Sequence, residues 1–273
     1  MSTLTKEDVS ISNILGFASD NHSTLMGNKS GFQKLLRIDI PIVFTIGCVC
    51  HSFALCSSHA VRVLPSYLES FLKDLTYFSR SSKRQSDFYM IQSVVGTKEN
   101  NIPKLSQTRW LSHKNVINVI IERWDALVLY FESEAKVEKV DGAKWIYETM
   151  INKGTKHMLL FLHYILKKVT TINVEFHSEH FRLHLLHTLQ SNEYKNILSC
   201  FIKEYVLAVS KVSDIDLNNT TNHKDMSDIY LGERAMRYLE QNPIVGESAK
   251  FKTECKHFLY RIMLSNKNGI SSR

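Results

Sequence analysis

An α/β layer followed by an all-helical region, with helix dominating overall, is the fold class this sequence predicts. Three observations predict it. From Ile11 to Val63 the apolar runs follow each other as strand, helix, strand, helix, the order that builds a sheet covered by helices. Beyond about residue 126 no convincing strand pattern appears, and apolar residues recur at helical spacing. Only 4 of the 273 residues are Pro and 10 are Gly, so little interrupts long helices.

The elements follow in order. Ile11 to Ala18 is a short apolar run ending at Ser19-Asp20 and reads as a buried strand. Ser30 to Ile38 has helical spacing, with Phe32, Leu35, Leu36 and Ile38 on one broad face. Ile42 to Ile46 is β-branched and apolar, a second strand running into Cys48 to His51. Ser52 to Val63 turns helical. After Pro65, residues Leu68, Phe71, Leu72, Leu75 and Phe78 mark another helix. Ser79 to Ser86 reads as a basic, serine-rich break before a short helix over Asp87 to Val95. A single helix is expected from Trp110 to about Glu132. Helices are also expected at 145–151, 157–176, 178–209, 230–241 and 248–264, with a polar loop over 213–228. The domain boundary expected from this pattern puts residues 1–125 in the α/β part and 126–273 in the helical part.

Hydrophobic residues make up 44% and charged residues 22%, a globular rather than disordered balance. The net charge of +7 and a pI near 9.0 suit an acidic partner such as nucleic acid without establishing one. Met1 to Ser12 is polar, unlike a signal peptide, and no apolar run nears the roughly 20 residues of a membrane span. The 5 cysteines are therefore expected to be reduced thiols in an intracellular protein with no membrane partner. No Gly-rich phosphate loop, nucleophile elbow or HExxH motif is present, so no small-molecule substrate is indicated.

Several residues carry possible chemistry. Asp20, at the C-terminal end of a strand, stands where α/β folds place metal ligands, but it is equally a turn or N-cap residue. Cys48, His51, Cys56 and His59 are zinc-ligand types at close spacing; buried thiols with a hydrogen-bonded histidine explain them as well. Arg109-Trp110 combines a phosphate-binding fork with a base-stacking plane, or a surface Arg with a core Trp. Arg80, Lys83 and Arg84 form a small basic patch able to touch phosphate.

Together, Gly16-Phe17-Ala18-Ser19-Asp20, the Met26-Gly27-x-x-Ser30-Gly31 turn, Cys48-x-x-His51 with apolar Phe53-Ala54-Leu55, and Thr108-Arg109-Trp110 resemble cut-and-paste transposases of the hAT superfamily. The closing Cys255-x-x-Phe258-Leu259 and the order of the later segments are similar to the zinc-finger-like, transposase-derived branch of animal genomes. The resemblance implies part of a ribonuclease-H-like sheet layer followed by an all-helical insertion domain. It implies that Asp20 is a vestigial metal ligand, that Cys48 and His51 mark the structural motif, and that Arg109 and Trp110 sit where the family contacts nucleic acid. Only one member of the acidic triad is matched. Asp8 lies in a polar leader, and the chain ends at Arg273 before a counterpart of the family's catalytic Glu. The sequence thus reads as truncated at both ends, with an incomplete ancestral Mg²⁺ site and no cofactor. The expectation is a catalytically inactive, domesticated transposase-like protein, nuclear, with weak sequence-independent DNA binding. Two alternatives stay open. Missing segments could complete an active transposase or nuclease, or the helical region could serve as a protein-interaction scaffold.

Overall fold

The computed structural model describes residues 10–78, 80–103, 105, 113–176, 183–244 and 246–271. The chain divides into two compact units, residues 1–55 and 56–273.

In the N-terminal unit, a 3₁₀ turn at Ile11–Asn13 leads into β1 (Gly16–Ser19), followed by α1 (Ser23–Met26), α2 (Phe32–Asp39) and β2 (Phe44–Gly47). Helix α3 (Val49–Val61) begins in this unit. β1 and β2 pair in parallel, with Gly16 opposite Phe44 and Ser19 opposite Gly47. A parallel pair needs a crossover, and α2 supplies it. Leu36, Ile40 and Val43 form the core, with Ile11, Ile14 and Phe17 partly buried against it.

Polar links add to this small core. The buried Gln33 donates from Nε2 to Met26 O and to Asn28 Oδ1 (3.0 Å), and its Oε1 accepts from Thr45 Oγ1 at 3.1 Å. One side chain thereby ties α2 to the turn before it and to β2. The glycines of that turn have a steric cause: a Cβ on Gly31 would lie 2.4 Å from Gly27 N.

Two readings of this region need correction. Only Gly16–Ser19 of the expected buried strand is extended, and its residues alternate between exposed and half-buried. The expected apolar face of α2 is split: Leu36 turns inward while Phe32, Leu35 and Ile38 face outward.

The C-terminal unit is helical. It contains α4 (Ser66–Phe78), α5 (Ser82–Val95), α6 (His113–Glu122), α7 (Trp124–Lys136), α8 (Asp141–Ile151), α9 (Lys153–Phe176), α10 (Leu186–Leu198), α11 (Glu204–Val209), α12 (Glu233–Gln241) and α13 (Ser248–Ser271). Helix α9 is the organising element. Met158, Leu159, Leu160, Phe161, Leu162, Ile165, Leu166 and Val169 are all buried, and α9 packs against α6, α8, α10, α12 and α13. Helix α13 packs against α9 and α10 and buries Phe251, Cys255, Phe258, Leu259, Ile262 and Met263. The Phe161 and Phe258 rings pack edge-on at 5.6 Å. A second cluster joins α4, α5 and α7 through Phe78, Phe88, Tyr130 and Phe131, with Phe78 and Phe131 5.1 Å apart.

The helix expected from Trp110 to Glu132 is two, α6 and α7, separated at Arg123 (φ −115°, ψ 21°), which is itself buried. The helix expected over 178–209 breaks between α10 and α11 because the backbone there pairs elsewhere. Lys203 N donates to Asn222 O (2.9 Å), Lys224 N to Phe201 O (2.8 Å) and Tyr230 N to Cys200 O (2.9 Å). Before α12, Gly232 has φ +94°, and a Cβ on it would fall 2.5 Å from Cγ of Tyr164. Among the described residues β1 and β2 form the one sheet, and no helix is long and apolar enough to cross a membrane.

Candidate nucleic-acid interface

The end of β1 is built around backbone groups. Asp20 is exposed, and its Oδ1 accepts from His22 N at 3.2 Å. Asn21, not Asp20, reaches across: its Nδ2 donates to Cys48 O (3.1 Å) and Ser52 Oγ (2.7 Å). Cys48 N donates to Ser19 O at 2.7 Å, extending the β1–β2 pairing by one bond.

Cys48 was expected on a strand. It lies instead one residue past β2, directly before α3, where its Sγ accepts from His51 N at 3.5 Å. A side-chain acceptor in front of a helix, bonding the amide three residues on, is an N-cap. Cys-x-x-His here therefore starts a helix, with Cys48 as the cap and His51 supplying the capped amide. Burial, and then the neighbouring Cys48, push the Cys50 thiol up to about 11. Burial pushes the Cys56 thiol up to about 12, so both are held as thiols rather than nucleophilic thiolates.

A magnesium site of the kind the resemblance implies does not fit these residues. Mg²⁺ takes several oxygen ligands in near-octahedral order. In the described part of the N-terminal unit Asp20 and Asp39 are the acidic side chains. Among the described residues no group of three or more His, Cys, Asp or Glu is placed to hold a metal ion. Asp8 lies outside the described residues.

The basic stretch at 80–84 is not a loop throughout. Helix α5 begins at Ser82, so Lys83 and Arg84 occupy its first turn. Cations are disfavoured at a helix N-terminus, and acidic and aromatic neighbours offset this. The Arg84 guanidinium lies 3.7 Å above the Phe78 ring, and Arg84 and Lys83 both act on Glu134. Arg84 is thus engaged within the fold. Arg80 and Lys83 are exposed, with Arg80 5.9 Å from the Tyr77 ring centre. Arg109 and Trp110 lie outside the described residues.

A second set of basic side chains comes together where α9 packs against α6 and α12. Lys156, His163 and Lys167 recur along one side of α9. Lys114 joins them from the first turn of α6 and Arg234 from the first turn of α12. Burial, then Arg234, Lys167 and Lys114, hold the His163 pKa below its ordinary value, with Glu122 opposing. The Lys156 ammonium sits 5.2 Å from the Trp124 ring centre and 5.1 Å from that of Tyr238. Burial lowers its pKa; Asp125 counters this and Arg234 adds to it. Lys167 and Arg234 are exposed, the others half-buried. Glu122 and Asp125 offset part of the charge, and the balance is positive.

Sequence reasoning missed this surface because its members lie far apart in the chain. The signal present was on α9 alone: Lys156, His163 and Lys167 recur along one side of a helix whose other side is largely apolar. No family model, curated protein or solved structure matches the chain.

Proposed function

We propose that this chain is a non-catalytic, transposase-like protein of the hAT type that binds DNA through its helical unit, with the nucleus as its place of work. The observation that carries this reading is the cationic surface of Lys114, Lys156, Lys167 and Arg234 around His163. It gathers four basic side chains, two of them exposed, on one surface, the charge that phosphate contacts need. Lys114 also follows Arg109-Trp110 closely in sequence, so the residues singled out by the family resemblance lead into the helix that supplies it. Support for a non-catalytic role comes from Asp20, whose carboxylate accepts from His22 N in its own turn and belongs to no group of three or more metal-ligating side chains among the described residues.

Fluorescence anisotropy with labelled duplex and single-stranded DNA across a salt series tests this. The dissociation constant should rise steeply with salt. Lys167→Glu and Arg234→Glu should each weaken binding on all sequences alike and reduce the salt slope by about one. A dissociation constant that does not change between low and physiological salt overturns the reading.

A further inference from the structure

Among the residue types on the cationic surface, histidine alone ordinarily titrates between pH 5 and 8. His163 also stands in the middle of the set. On α9 it follows Lys156 by two turns and precedes Lys167 by one, spacings that share a helix face. Lys114 faces it from the first turn of α6 and Arg234 from the first turn of α12; the exposed Glu122 of α6 is the opposing carboxylate. Phe161, Leu162, Ile165 and Leu166 around it in the chain are buried, while His163 is half-buried. The imidazole thus sits at the rim of the core, beside the exposed Lys167 and Arg234.

Nearby cations disfavour an imidazolium. Burial, and then Arg234, Lys167 and Lys114, hold His163 toward its neutral form against the pull of Glu122. A DNA phosphate drawn to Lys167 and Arg234 changes the second influence and leaves the first. The cations acquire an anionic partner, and so does the ring between them. Phosphate also favours the charged ring directly. An imidazolium donates from both nitrogens, and its bond to a phosphate oxygen is charge-assisted; a neutral ring has one N–H.

Resting on the reading of this surface as a DNA-binding one, we propose that His163 is a proton-linked phosphate contact: it engages the DNA backbone as the imidazolium, takes up one proton from solution as DNA binds, and makes affinity rise as pH falls. A group that holds its proton more tightly in the complex than in the free protein strengthens binding at low pH. That gain is lost as pH rises through the value the group has in the complex. Between the free and bound values, log Kd should climb with pH by at most about one per unit.

The test uses the full chain and labelled duplex DNA at fixed ionic strength from about pH 6 to 8.5, with circular dichroism to confirm folding at each pH. Fluorescence anisotropy should show Kd rising with pH. Calorimetry in two buffers of different ionisation enthalpy should show net proton uptake near pH 7. His163→Gln should abolish most of the uptake and bind at every pH about as the wild type does at the alkaline end. His163→Arg, with a fixed cation, should bind tightly with little pH dependence. A second measurement serves should these variants not fold: the histidine Cε1–H signals followed by NMR. One should titrate at higher pH with DNA than without, and Lys167→Met, which removes an exposed neighbouring cation, should raise the titration of that same signal in the free protein. Salt-dependent DNA binding without proton uptake overturns this proposal and leaves the DNA-binding reading standing, as does proton uptake undiminished in a folded His163→Gln protein. Absence of DNA binding at every pH overturns both.

Discussion

Residues 10–55 rest on Leu36, Ile40 and Val43, whereas in residues 56–273 helix α9 alone buries eight apolar side chains between Met158 and Val169 and packs against five other helices. The contrast continues at the surface. In the N-terminal unit Leu15 is 86% and Ile42 93% exposed, and Phe32, Leu35, Ile38 and Phe44 also face outward. Parallel strands are ordinarily covered on both faces, yet β1 alternates between exposed and half-buried residues. What holds this unit in register is largely polar: Gln33 bridging α2 and β2, and Asn21 joining the end of β1 to the start of α3. The lesson is that the two units draw stability from different sources. In one it scales with buried apolar area; in the other it depends on a few directional bonds over a small core.

The largest expected effect breaks or confirms this contrast directly. Phe161→Ala removes a fully buried ring packed on Phe258 and should cost about 3–5 kcal/mol in urea unfolding of the helical unit. Leu36→Ala, in the small core, should cost about 2 kcal/mol, the low end of the range for such truncations. A larger loss from Leu36→Ala than from Phe161→Ala removes the comparison. Native-state hydrogen exchange should agree, with amides of β1 and β2 less protected than those in the middle of α9.

A smaller effect concerns acid. His157 is wholly buried, with Nδ1 facing Lys153 O and Nε2 3.0 Å from Asn242 O. A neutral imidazole has one N–H for these two carbonyls. Protonation would satisfy both, but burial holds the pKa below its ordinary value. Burial also lowers those of His163 and His223. The sign follows from the direction. A histidine depressed in the fold contributes stability above its unfolded pKa of about 6.5, and that stability is lost as pH falls through the folded value. The melting temperature should therefore drop as pH is lowered from about 7 toward 5. His157→Gln should flatten part of that slope, and an unchanged slope would remove His157 from the account. Glu134 and Glu254, whose pKa values burial raises, act in the opposite sense: their contribution is lost as pH rises.

The smallest effects sharpen the picture of the N-terminal unit. Asn21→Ala loses two hydrogen bonds and should cost about 1–2 kcal/mol, read as faster exchange of the first amides of α3. Cys48→Ser keeps an acceptor at the cap and should be near neutral, while Cys48→Ala should cost about 1 kcal/mol. Equal stability of the serine and alanine variants would show that the sulfur does not cap.

Much of the helical framework was legible. Leu68, Phe71, Leu72, Leu75 and Phe78 have the spacing of one helix face, and α4 buries all of them. Cys255, Phe258 and Leu259 do the same on α13. Such positions are set by local periodicity, which a sequence displays. Other features are set by what the chain meets elsewhere. Nothing near Arg123 announces a helix break; the break belongs to the packing of α6 and α7 around a buried arginine. Cysteine is an uncommon cap, so Cys48 read as part of the strand before it. The cationic surface was hidden for the same reason: it gathers residues from three separate stretches of chain, and each residue alone looks like ordinary surface charge.

Gly232 carries a consequence for inheritance. Its backbone has φ +94°, which side-chain-bearing residues rarely adopt, and the space beside its Cα is filled by the Tyr164 ring. That ring is fixed in turn by Tyr230, 5.5 Å away at right angles, and its hydroxyl lies 3.7 Å from Cys200 Sγ. A glycine codon becomes another residue on any change at its first or second base, and every such change here meets both the strained backbone and the occupied space. In a saturation library, position 232 should lose all its substitutions under selection for folded protein, while the adjoining exposed Glu233 and Arg234 keep most of theirs.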